Sequence, residues 1–79
     1  MNKKKILIIR SKIDKLDSKI LNLIKKRSNL VNQVIKIKNL KKQIVDKRRI
    51  KVVLKNIKTK SLKKNIDTDV TKKIWLSMI

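Results

Sequence analysis

Residues 6–38 read ILIIRSKIDKLDSKILNLIKKRSNLVNQVIKIK. From Ile6, the residues Ile9, Ile13, Leu16, Ile20, Leu23, Arg27, Leu30, Val34 and Ile37 follow at alternating steps of three and four. That spacing lines all ten along one stripe of an α-helix. Nine of them are aliphatic. Arg27 is the exception, a guanidinium in the middle of an apolar seam, and it is costly there unless an anion meets it. An aspartate such as Asp17, a nucleic-acid phosphate or a small acidic ligand would each serve.

The remainder of the chain narrows the choice. Its 79 residues allow one domain, 1–79, too small to bury a large core alone. With no Gly and no Pro, tight turns are disfavoured and long helices favoured. Cysteine and histidine are absent, which removes disulfides, thiolate metal sites and the commonest general base, and no metal or cofactor is expected. The only acids are Asp14, Asp17, Asp46, Asp67 and Asp69. An enzyme of this composition works without His, Cys or Glu chemistry.

The net charge of +20 has two readings. A basic surface binds phosphate regardless of sequence. Coding drift toward Lys, Ile and Asn yields the same charge as solvated side chains, so any nucleic-acid binding is expected to be non-specific. The first nine residues hold a basic start and four apolar side chains before Arg10, short of a signal peptide or a membrane span. The expected compartment is the cytoplasm.

Three helices account for the pattern, an all-α fold of one long and two shorter helices. The first is expected over about residues 4–41, near 57 Å long at about 1.5 Å per residue. A short connection over about 42–45 leads to a second helix capped by Asp46, with Ile50, Val53, Leu54 and Ile57 on one face. A second connection is expected over about 60–65. The third helix starts at Ile66-Asp67-Thr68-Asp69, with Asp67 and Thr68 as cap candidates and Val70, Ile74, Trp75 and Met78 as its apolar face. Two short helices cannot cover the first, so a second copy of the chain is expected to do so.

Arg27 and Lys38 are 11 residues apart and project within about 20° of each other, so they converge on one ligand. Arg10 lies about 25 Å back along the axis and near 100° around it, out of reach of that ligand within one chain. Arg10 of the partner subunit in an antiparallel dimer is within reach. Taken singly, Lys38 and Arg10 also read as solvated surface residues.

The segment running from Ile9-Arg10 through Ile13-Asp14, Leu16-Asp17 and Ile20-Leu21 resembles the opening of the all-helical chorismate mutase family. Leu23-Ile24-Lys25-Lys26-Arg27, Val34-Ile35-Lys36-Ile37-Lys38 and Val45-Asp46-Lys47-Arg48-Arg49 resemble its next three blocks in register, and Trp75 matches an aromatic of its third helix. The resemblance implies an intertwined homodimer converting chorismate to prephenate in aromatic amino-acid biosynthesis. Arg27, Lys38 and Arg10 of the partner subunit would be catalytic. Asp46 and Arg49 would bind the substrate near its ring hydroxyl, although a plain cap and a solvated arginine explain them equally. Val34, Val53 and Ile79 would be apolar walls, with core packing the other reading. Two departures stand out. Ile50 occupies the place of a substrate-binding glutamate, and the chain stops about two turns before the family's ether-binding glutamine. Loss of one transition-state donor costs about 2.7–4 kcal/mol. A weakened remnant of the fold, or a small basic nucleic-acid-binding protein, are the alternatives.

Overall fold

The structure, a computed structural model, describes residues 2–39 and 46–79, with the backbone alone at 38 and 39. Within them lie three α-helices and no strand: α1 (Lys3–Asn39), α2 (Lys47–Lys63) and α3 (Thr68–Met78). The all-α expectation holds, with one long and two shorter helices. The chain divides into two compact units, Met1–Lys42 and Gln43–Ile79. Residues 40–41 of the expected first helix and the expected connection over 42–45 lie outside the described residues.

The first unit is α1. Asn2 caps it: the Asn2 side-chain oxygen accepts from the Lys5 amide at 3.3 Å, and its carbonyl accepts from Ile6 at 3.3 Å. With no Gly or Pro to interrupt them, 37 residues run as one helix about 56 Å long. Asp17 therefore lies about 15 Å from Arg27 along the axis and cannot pair with it in one chain. From Ile9 to Ile37 the aliphatic seam residues remain open, between 49% exposed at Ile13 and 62% at Leu23, and Ile6 is half-buried. Arg27, between Leu23 and Leu30, is half-buried.

The second unit is a hairpin of α2 and α3. Asp46 caps α2 as expected, its Oδ1 accepting from the Arg49 amide at 3.0 Å. The expected connection is overturned over most of its length. Residues 60–63 stay helical, and the turn is confined to Lys64 and Asn65. Asn65 adopts φ 56°, its amide bonds the Leu62 carbonyl at 3.3 Å, and Ile66 bonds the Ser61 carbonyl at 2.9 Å. This is a Schellman stop, with asparagine where glycine usually stands. Asp67 then caps α3 through its Oδ1 on the Asp69 amide at 2.8 Å.

Ile50, Val53, Leu54 and Ile57 are half-buried on the face expected of α2. The face of α3 is rotated from the expected one. Thr68, Thr71, Trp75 and Met78 turn inward, while Val70 and Ile74 remain 51% and 44% exposed. The physical cause sits at the crossing. Ser61 and Thr71 are the buried side chains, 2% and 8% exposed, and their hydroxyls share a 2.8 Å hydrogen bond. The Ser61 hydroxyl also bonds the Ile57 carbonyl at 2.6 Å. Two small polar residues let the backbones approach, and centring α3 on Thr71 leaves Val70 and Ile74 on its flank. Among the described residues no apolar side chain is fully buried.

Replacing Ser61 by Leu should overpack this crossing and cost about 1–3 kcal/mol, whereas Asn65→Gly should stabilise by up to about 1 kcal/mol by relieving the left-handed backbone. Denaturant midpoints at one fixed protein concentration read both.

Candidate functional site

Arg27 and Lys38 are held by one uninterrupted helix, which fixes their separation at about 16 Å of axis. Arg27 is half-buried on α1, in line with the aliphatic seam residues Leu23 and Leu30. Val34, two turns on, is 50% exposed and offers an apolar patch between the two cations. For Lys38 the backbone is helical, and its side chain lies outside the described atoms. Arg10 is exposed near the start of α1.

In the second unit, Asp46 and Arg49 are brought together by the cap itself. The half-buried Asp46 carboxylate accepts the Arg49 amide, which sets the first turn of α2 and projects the Arg49 side chain into solvent. Ile50 and Val53 are half-buried, so the position of the expected glutamate is committed to packing. Ile79 donates its amide to the Trp75 carbonyl at 3.0 Å and is 48% exposed. Among the described residues no group of three or more acids is placed to hold a metal ion. No described helix is long and apolar enough to cross a membrane.

A cleft of about 370 Å³ opens between α2 and α3, lined by Leu54, Ile57, Thr68 and Thr71, with Lys55, Lys58, Lys72 and Asp69 at its edges. None of the sequence-predicted residues lines it. The sequence reading also missed Ser61 and Thr71. Their signal is a small polar residue on each apolar face: Ser61 four residues after Ile57, and Thr71 four before Trp75.

The Asp46 cap is testable on its own. Asp46→Ala should cost about 1 kcal/mol of stability, and Asp46→Asn almost nothing, since asparagine caps as well. Thermal unfolding followed by circular dichroism separates the two variants.

A family model described as chorismate mutase type II matches residues 9–79. A protein of Methanocaldococcus jannaschii named chorismate mutase is 38% identical over 76 residues, spanning 95% of this chain and 77% of that protein. No solved structure matches the chain at a significant level.

Proposed function

The chain belongs to the chorismate mutase type II family, and on that premise we propose that it catalyses the rearrangement of chorismate to prephenate. The observation that carries this is the family match across the helix in which Arg27 breaks the apolar seam. The reaction is a Claisen rearrangement: the ether C–O bond breaks as a C–C bond forms, with no covalent intermediate and no obligatory proton transfer. A chain without His, Cys or Glu has the groups this chemistry needs. Catalysis consists of holding the dicarboxylate in its compact chair-like conformer and stabilising charge that develops on the ether oxygen.

In this proposal the enzyme is a cytoplasmic homodimer with intertwined long helices. Arg27 and Arg10 of the partner subunit each grip one carboxylate, bidentate where the fork allows. Lys38 donates to the ether oxygen and a carboxylate. Asp46 positions the ring hydroxyl and Arg49 lies beside it, while Val34, Val53 and Ile79 enclose the ring. Support for the dimer is the open seam of α1, because burying a Leu or Ile side chain is worth about 1.5–3 kcal/mol. Ile50 cannot accept a hydrogen bond, so Asp46 alone receives the hydroxyl, and a modest rate is expected. The nucleic-acid alternative is not favoured, since it leaves a charge in the apolar seam unexplained.

Purified protein should consume chorismate, followed by its ultraviolet absorbance, and Arg27→Ala should lower kcat/KM by about 10²–10³. Activity at the uncatalysed rate would sink the enzymatic claim. Sharing of sites is tested by mixing. Arg10→Ala and Arg27→Ala subunits, each inactive, should regain roughly a quarter of wild-type activity once exchanged, because half the dimers carry one intact site. No recovery in exchanged dimers would place Arg10 outside the site.

A further inference from the structure

Positive charge is not spread evenly over the helices. α1 carries twelve Lys and Arg with two aspartates over 37 residues, and α3 two lysines with one aspartate over 11. α2 carries eight with no acid over 17. A coding bias acting on the whole chain would load the helices alike. The eight cover the solvent side of α2, with Arg48, Arg49, Lys60 and Lys63 turned away from α3 and the other four forming a row beside it. Lys47, Lys51, Lys55 and Lys58 fall within about 80° of one another around the helix, on the flank of the face that packs against α3. All four are exposed. The ridge continues across the α2–α3 cleft, where Lys55 and Lys58 on one wall and Lys72 on the other flank Thr68 and Thr71, with Asp69 the one acid in the lining.

We propose that this lysine ridge, Lys47, Lys51, Lys55 and Lys58 of α2 continued by Lys72 of α3, is a second, non-catalytic surface that binds single-stranded nucleic acid through its phosphates. Flexible ammonium groups spaced about 4–6 Å apart along a helix act as point charges for a phosphate backbone. The ridge has no aromatic for base stacking, so recognition is independent of sequence. An anionic membrane is the less suited partner. A helix that lies on a membrane buries its apolar face in the lipid, whereas Ile50, Val53, Leu54 and Ile57 are half-buried in the hairpin. None of the ridge lysines has a place in the substrate site, so the two activities are separable.

The test is the salt dependence of binding to a labelled oligouridylate, read by fluorescence anisotropy up to physiological salt. The wild-type protein should still bind there. Lys51→Gln, Lys55→Gln and Lys58→Gln together should lower the slope of log affinity against log salt by about 2 and leave chorismate turnover unchanged. Lys12→Gln, Lys15→Gln and Lys19→Gln on α1 remove the same charge and should leave the slope as it was. Lys72→Gln alone should lower it by about 0.7, an independent check if the triple variant loses its fold. Equal losses in the two triple variants would overturn the proposal in favour of net charge alone. So would loss of binding at physiological salt, or ridge-dependent binding to phosphatidylserine vesicles without binding to RNA.

Discussion

A guanidinium in the middle of an apolar stripe constrains everything around it. Seam residues to either side of Arg27 gain stability by leaving water, and the charge loses by it. Covering the stripe therefore requires an anion at Arg27, or the cover must stop short of it. A dicarboxylate ligand resolves the conflict, because the burial that penalises the free cation also strengthens its pairing with a carboxylate. Assembly and ligand binding then draw on the same surface. No apolar side chain is fully buried among the described residues, so the hairpin by itself removes little apolar surface from water.

The α2–α3 hairpin solves a different problem by polar means. Its apolar residues are only half-buried, and its closest approach is made by two hydroxyls. Ser61 donates its hydroxyl proton to the Ile57 carbonyl and accepts that of Thr71, so burying them leaves neither donor unpaired. A larger side chain at either position would push the helices apart. The cap of Asp46, the stop at Asn65 and the cap of Asp67 set both helix lengths without one glycine or proline.

Periodicity made the long helix legible, since a seam sustained from Ile6 to Ile37 has no strand or loop equivalent. Asp46 and Asp67 were legible as caps because short acids ahead of an apolar run have few other uses. The end of α2 was not. Residues 60–64 are mostly polar, and polarity reads as loop where nothing marks the last turn, yet the helix persists because Ser61 packs inward and bonds Ile57. The rotated face of α3 was hidden for a related reason. Hydropathy counts Val70 and Ile74 as core and Thr71 as surface, but a threonine whose hydroxyl has a partner across a close crossing is the better buried residue. Spacing alone puts Arg27 and Lys38 on one helix, and that helix is continuous through both. Arg10, near the start of the same helix, has a proposed role only through a second chain.

The composition that removes most enzymatic chemistry suits a catalyst that works by position. Hydrolases and proton-transfer enzymes depend on groups whose pKa is tuned near neutrality, and this chain has no histidine, cysteine or glutamate to tune. A pericyclic rearrangement asks for fixed cations, and a helix fixes them well. Arg27 and Lys38 stand on one continuous helix, the kind of fixed placement such a rearrangement favours. At position 50 the isoleucine extends the packed face of α2 and cannot accept a hydrogen bond. Replacement of Arg27 by an aliphatic residue would complete the seam and remove the grip. Among the seam positions Arg27 alone gives up apolar packing for a charge that can meet an anion.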